Sequence, residues 1–266
     1  MNKLNIACGG RYSEKWINID FHADSSSVKK VNILAGLPFE DSSFEFVYCS
    51  HFLEHLSLSQ VKILIGEVLR VLKPNGIFRV VVPDLENICR EYLRVLADVD
   101  TEKFSEKKYE WVVVELLDQL VRVNAGGDMA KTFKKVANSK DIELAEYILH
   151  RTGDELINNK LKKKRKVTFD KIKNKIFYLY LRFIQLLIPK NLRELIFVNT
   201  SIGERHQWMY DKYSMTKLLQ LEGFKEVVVE KFNTGRIENF NSYMLDIKKD
   251  GTAYKGESSL YIEAIK

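Results

Sequence analysis

The residues able to do chemistry fall in two groups along this chain. The first is Ala7-Cys8-Gly9-Gly10-Arg11, which ends the apolar run Leu4-Asn5-Ile6-Ala7. It is followed by Asp20, which ends a second apolar run, Trp16-Ile17-Asn18-Ile19. Glycines at a strand end let backbone approach a ligand with no Cβ in the way. A carboxylate closing the next strand can accept a hydrogen bond from each of two vicinal ribose hydroxyls. The pair suits a nucleoside held across the carboxyl ends of two neighbouring parallel strands, with a plain turn as the competing explanation for the glycines. The second group is histidine: His51 and His55 just after a strand-like run, and His206 in the segment that also carries Trp208 and Tyr210. Imidazole is the side chain best suited to accept a proton near neutral pH. Asp118 and Arg122, one helical turn apart, suit a polar or phosphorylated ligand, or simply each other.

The surrounding patterns predict the elements that position these groups. Leu4–Ala7, Trp16–Ile19, Val31–Leu34, Phe44–Cys49 and Ile77–Val82 read as strands, and apolar spacing over 59–72 predicts a helix that Lys73-Pro74-Asn75-Gly76 stops. His51–Leu56 reads as the turn into a helix. Strands separated by crossovers argue for a parallel sheet. The step from Cys8 to Trp16 is too short for a crossover helix, which needs about a dozen residues. From Leu85 to about Asn199 the pattern changes to successive helices: 86–97, 105–123, 128–137, 142–150 and 177–188. The tail returns to a helix over 213–222 closed by Gly223, a strand over 224–229, and a last strand over 260–265 expected to lie antiparallel at the sheet edge.

With 266 residues, 45% hydrophobic and 29% charged, the chain suits one large soluble domain carrying a helical insertion. Much of its net charge of +6 comes from nine basic residues between Lys160 and Lys175. This run, next to the aromatic stretch Phe177–Ile188, reads first as a solvated face. Weak peripheral contact with an anionic membrane through 160–188 is the second reading, and nucleic acid is disfavoured. Three cysteines (Cys8, Cys49 and Cys89) without metal-type spacing imply reduced thiols, and no metal is expected. A strand starting directly after Met1 leaves no room for a signal peptide, so a cytoplasmic protein is expected, at most peripheral to the inner membrane face.

In order and spacing these pieces resemble the class I S-adenosylmethionine-dependent methyltransferases. The matching residues are Ala7-Cys8-Gly9-Gly10, Asp20, and Leu37-Pro38-Phe39 with Asp41-Ser42-Ser43-Phe44-Glu45. Ser50-His51-Phe52-Leu53-Glu54-His55-Leu56, Val71-Leu72-Lys73-Pro74-Asn75-Gly76 and Leu221-Glu222-Gly223-Phe224 complete the set. The tight spacing from Gly9 to Asp20 and the segment from Glu204 to Asp211 look like a bacterial subgroup linked to capsule and other surface-polysaccharide biosynthesis. The chain departs from the pattern in three places: Arg11 stands for the third glycine, the first helix is missing, and Asn32 replaces an acid near the adenine.

The resemblance implies an α/β, Rossmann-like, mostly parallel sheet with an antiparallel last strand. Residues 1–84 and 200–266 would form the core, and 85–199 a helical lid over the substrate pocket. It implies S-adenosylmethionine as cofactor, with S-adenosylhomocysteine as product, held by Ala7, Cys8, Gly9, Gly10, Arg11, Asp20, Asn32, Ile33, Leu34, Ser50 and His51. Methyl transfer from a sulfonium needs in-line alignment and, for a hydroxyl acceptor, a nearby base. His206, His51 and Tyr210 are the candidates, with Asp118, Arg122 and Trp208 as acceptor contacts. The expected acceptor is a hydroxyl of a nucleotide-linked sugar or other glycan precursor. RNA 2′-O-methylation, N-methylation of an amine or phosphoramidate, and a non-catalytic binding protein are the alternatives. A nicotinamide-dependent oxidoreductase is excluded, because Gly10-Arg11-Tyr12 breaks the G-x-G-x-x-G motif and Asp20 comes too early.

Overall fold

The computed structural model describes residues 2–23, 25–100, 104–157 and 204–266, together with all of 176–189 except 178, 182 and 185. Seven strands form one sheet: β1 (Lys3–Ile6), β2 (Ile17–Asp20), β3 (Val28–Lys30), β4 (Phe44–Ser50), β5 (Leu72–Pro83), β6 (Glu226–Glu230) and β7 (Ser259–Ile265). Their order is β3-β2-β1-β4-β5-β7-β6, and β7 alone runs antiparallel to both its neighbours. The chain reverses direction across the sheet between β1 and β4, whose parallel register pairs Ile6 with Cys49. In open sheets of this kind the crevice outside the strand tips at such a reversal is the usual ligand position.

Alternation along the central strands divides the sheet into two faces. Val47 and Cys49 of β4, Phe78, Val80 and Val82 of β5, and Leu260, Ile262 and Ala264 of β7 point to one side. There they meet helices α1 (Leu58–Val71) and α6 (Lys212–Leu221). Helix α1 begins in a capping box between Ser57 and Gln60 and buries Val61, Leu64, Ile65, Val68 and Val71 on one stripe. On the opposite side Tyr48, Ile77, Val81 and Tyr261 pack against Trp16, Ile237, Phe240 and Leu245. The cover on that face is therefore the long connection 231–258 between β6 and β7. Arg79 is fully buried on that face. Its Nε donates to Asp246 at 2.7 Å, and Nη1 to Glu263 at 2.8 Å and to the Thr234 carbonyl at 2.8 Å. Nη2 donates to the Lys231 carbonyl at 3.0 Å.

Helices α2 (Leu85–Asp98), α3 (Ser105–Val121), α4 (Gly127–Ser139) and α5 (Ile142–Thr152) follow β5 and pack on one another. Val95, Trp111, Val112, Val136, Leu144, Ala145 and Ile148 form their own core.

Three expectations are corrected. The third strand is Val28–Lys30, and Ile33–Ala35 is instead a single 3-10 turn. Val28, Lys29 and Lys30 pair with Asn18, Ile19 and Asp20 as a short edge strand with exposed lysines, an edge composition that discourages further pairing. Ile33 then drops into the core from the turn. The antiparallel β7 lies inside the sheet, between β5 and β6, and β6 is the edge. The turn after β4 is a single 3-10 turn, Leu53–His55. The basic run 160–175 lies outside the described residues. Phe177, Leu179, Tyr180, Phe183, Leu186 and Leu187 are exposed. No helix among the described residues is long and apolar enough to cross a membrane.

Candidate active site

A cleft of about 190 Å³ opens at the tips of β1 and β4, lined by Asn5, Ala7–Arg11, Tyr48, Ser50 and His51, and closed by Leu245, Tyr254 and Lys255. Two of its residues are held in the left-handed region although neither is glycine: Ala7 (φ 52°) ends β1 and His51 (φ 51°) ends β4. Such strain persists only where surrounding structure enforces it, and it concentrates at functional sites. For His51 the enforcing bond is its backbone N–H to the Val81 carbonyl at 2.8 Å.

The glycines leave room for a ligand. A Cβ built on Gly9 or Gly10 would meet no atom within 4 Å. Asp20 fixes this loop, because its Oδ2 accepts from the Gly9 N–H at 2.9 Å and its Oδ1 from the His22 N–H at 2.9 Å. Each carboxylate oxygen keeps a lone pair for a ribose hydroxyl. Arg11, where a third glycine was expected, donates from Nη2 to the Ile247 carbonyl at 2.6 Å and stacks 3.9 Å from the Tyr254 ring centroid. It thereby ties the 231–258 connection over the cleft. Cys8 is no nucleophile: burial, reinforced by Asp20, pushes its thiol up to about 12. Asp20, Asn32, Ile33 and Leu34 are not among the residues lining the cleft. Asn32 is exposed and Ile33 buried in the core.

A second cavity of about 200 Å³ adjoins the first. His51 and Lys255 line both. Its walls come from Pro83, from Ile88 of α2, Glu115 and Gln119 of α3, Met129 of α4, Thr152 at the end of α5, Asp154 just beyond it, and His206, Met209 and Ser258. His51 Nε2 lies 3.1 Å from the Ser259 hydroxyl, and burial holds its pKa well below the usual histidine value, aided by the Lys255 charge. That shift favours the neutral imidazole over the imidazolium. Burial likewise pulls the Lys255 ammonium below the ordinary lysine range.

The catalytic and acceptor candidates separate. His206 lines the second cavity but not the first, and burial, with His55 and Arg122 nearby, lowers it to about 3. Tyr210 is buried in the sheet core, lines neither cavity, and burial raises its hydroxyl to about 12. Asp118 and Arg122 also line neither cavity. Arg122 donates to Asp118 along α3, and Asp118 Oδ1 and Oδ2 accept from the Asp128 and Met129 N–H groups at 2.7 and 3.4 Å. This pair anchors the start of α4, where a Cβ on Gly127 would fall 2.3 Å from Asp118 Oδ1. Trp208 is 56% exposed and lines neither cavity. Reasoning from sequence missed Leu245, Tyr254 and Lys255. The usable signal was the length of the connection 231–258, far beyond a hairpin loop, since long connections in compact domains are usually functional.

A seven-stranded sheet with one antiparallel strand, opening at a glycine-lined cleft, is the Rossmann-like architecture of class I methyltransferases. Residues 6–80 match the family model described as a methyltransferase domain. That match spans less than a third of the chain, and S-adenosylmethionine is the cofactor it implies. Among solved structures it is similar to an S-adenosylmethionine-dependent methyltransferase of Archaeoglobus fulgidus (12% identity, TM-score 0.39), covering 100% of this chain and 86% of that one. Two others, from Thermotoga maritima (10%, TM-score 0.40, 100% and 82%) and Methanosarcina mazei (14%, TM-score 0.40, 100% and 92%), are similar to the same degree. No curated protein matches the chain.

Proposed function

We propose that the enzyme methylates a hydroxyl of a small polyhydroxylated acceptor, a nucleotide-linked sugar or related surface-glycan precursor, bound in the second cavity. The observation that carries this reading is the shared wall: His51 and Lys255 face both the glycine cleft and the cavity beside it. The cofactor supplies a methyl group on a sulfonium, which a nucleophile takes by in-line displacement. The chain's own residues do the rest. Gly9 and Gly10 admit the cofactor, and Asp20, behind the lining and bonded to the Gly9 N–H, is the carboxylate nearest to hand for its ribose hydroxyls. Arg11 and Lys255 bring positive charge to the cleft that receives its methionyl carboxylate. Glu115, Gln119, Thr152, Asp154 and Ser258 offer the mixture of donors and acceptors that sugar hydroxyls require. His51 takes the acceptor proton. It is chosen over His206 because His206 touches only the acceptor cavity. Helices α2 to α4 serve as the cap that excludes water.

The test is methyl transfer from radiolabelled S-adenosylmethionine to a panel of nucleotide-linked sugars, with S-adenosylhomocysteine affinity measured by calorimetry. His51→Ala should lower turnover about 10²- to 10⁴-fold, the usual contribution of a general base, with product affinity changed only severalfold. A full-rate variant removes His51 from the mechanism. A panel left unmethylated by protein that binds S-adenosylhomocysteine overturns the sugar reading.

A further inference from the structure

Behind the second cavity sits a buried group whose bonding is incomplete. The 3-10 turn Leu53–His55 places Glu54 and His55 beside His206, and one ligand-capable atom from each of the three lies within 4.8 Å of the others. Glu54 is 0% exposed, His55 8% and His206 5%. Neither Glu54 carboxylate oxygen has a hydrogen-bond partner among the described residues. The nearest imidazole nitrogens, His51 Nδ1 and His55 Nε2, stand 3.5 and 3.9 Å from Glu54 Oε1, at ion-pair distance but without a hydrogen bond. A buried polar group without a hydrogen bond is costly to keep, and here two oxygens of one side chain are left so.

The main chain around the group is tightly fixed. The Glu54 carbonyl accepts from the Gln207 and Trp208 N–H groups at 2.7 and 3.2 Å, and the Gln207 side chain donates to the His55 carbonyl at 2.9 Å. The His206 N–H donates to the Gln119 carbonyl at 2.8 Å. His55 Nδ1 lies 3.0 Å from the Arg205 carbonyl. That contact assigns the proton to Nδ1 and leaves the Nε2 lone pair toward Glu54 and His206, the arrangement that orients metal-binding histidines.

We propose that Glu54, His55 and His206 form a binding site for one divalent transition-metal ion of the zinc type. Two imidazoles and one carboxylate are a donor set for zinc, iron(II), cobalt(II) or manganese(II) rather than magnesium or calcium. Bond lengths near 2.1 Å need the donor atoms to close by about 1 Å, within side-chain rotation. Three protein ligands leave a coordination position free, as in catalytic rather than structural zinc sites. Through His206 the site reaches the wall of the acceptor cavity. The spacing-based search for ligands could not find it, because His206 lies far along the chain from Glu54 and His55.

The inference does not depend on the acceptor, because metal binding is read without turnover. The full chain, stripped by chelator dialysis, is titrated with cobalt(II), followed by visible absorption, and then with zinc(II). Saturation at one equivalent with d–d bands, displaced by zinc, is expected. Glu54→Gln and His206→Ala should each weaken cobalt binding at least 100-fold while keeping the native circular dichroism spectrum and S-adenosylhomocysteine affinity. Absence of saturable uptake by the wild-type chain overturns the site, as does uptake that both variants retain. Should a variant misfold, X-ray absorption of the wild-type zinc complex decides. Fewer than two imidazole ligands refutes the assignment.

Discussion

Two of the buried polar clusters among the described residues are built on opposite plans. Around Arg79 every charged group is answered. The guanidinium meets Asp246, Glu263 and two carbonyls, the Tyr48 hydroxyl donates to Asp246, and Glu263 also accepts from the Arg236 N–H at 2.6 Å. Around Glu54 the reverse holds: both carboxylate oxygens and the Tyr210 hydroxyl lack hydrogen-bond partners among the described residues, and burial raises the Glu54 carboxyl to about 8. The saturated cluster fastens the 231–258 connection to the sheet and so holds the roof of the glycine-lined cleft. The unsaturated one borders the second cavity through His206. Buried polar groups in native proteins are nearly always paired, so a cluster that is not points to a ligand.

The contrast is broken most severely by Arg79→Leu. It would leave Asp246 and Glu263 buried without a counter-charge, and breaking a buried pair from one side costs about 3–5 kcal/mol. Urea unfolding measures this, and a loss below about 1 kcal/mol would show that the network carries no such burden. Asp118→Ala comes next. Loss of its charge-assisted bonds to Arg122 and the α4 N–H groups should cost about 1.5–3 kcal/mol. Acceptor KM in any active assay should stay unchanged. A raised KM with unchanged stability would return Asp118 to the acceptor site. Glu54→Leu should act in the opposite direction to Arg79→Leu. In chelator-treated protein it removes an unpartnered group and should leave stability equal or up to about 1 kcal/mol higher, since an apolar replacement of similar shape suits a site that offers no partner. A destabilisation resembling that of Arg79→Leu would mean that Glu54 is satisfied in solution, and the comparison would fail.

The frame of this molecule was legible in the sequence because its signals are local. Apolar alternation marked β4 and β5, helical spacing marked α1 to α5, and the short step from Cys8 to Trp16 indicated a connection without a helix. The cleft floor, Ala7–Arg11 with Ser50 and His51, was readable for the same reason: it sits at strand tips fixed by those patterns. Asp118 and Arg122 misled because an i,i+4 charge pair looks alike whether it faces a ligand or caps a neighbouring helix. Only the fold brings the Asp128 N–H to Asp118. Lys255 and Tyr254 carry no local signature. Their place over the cleft depends on the Arg79 cluster and on Arg11, contacts spanning most of the chain. The β3 assignment failed where Val31–Leu34 offered more apolar residues than Val28–Lys30. At a sheet edge the backbone register with β2 outweighs apolar content.

Outside both clusters stands Glu91 on α2, answered on both oxygens but partly open to solvent at the boundary with α5. It accepts from Arg94 Nη2 at 2.7 Å and from the Tyr147 hydroxyl at 2.5 Å, and these bonds, led by Arg94, lower its carboxyl to about 2. A carboxylate whose folded pKa lies below its unfolded value stabilises the native state once the pH is above the unfolded value, near 4.5. That contribution is lost as the pH falls toward 2. Arg94 is half exposed, so solvent screening should hold the effect to the ~0.2–1 kcal/mol of surface ion pairs. In urea unfolding, wild type should exceed Glu91→Gln by this small margin at pH 6 to 7, and the two curves should converge as the pH drops from 4.5 toward 2. A margin that widens on acidification would reverse the sign of the coupling and show that Glu91 is strained rather than stabilised by its partners. Pairing would then no longer separate the structural carboxylates of this fold from the one left without hydrogen bonds beside the second cavity.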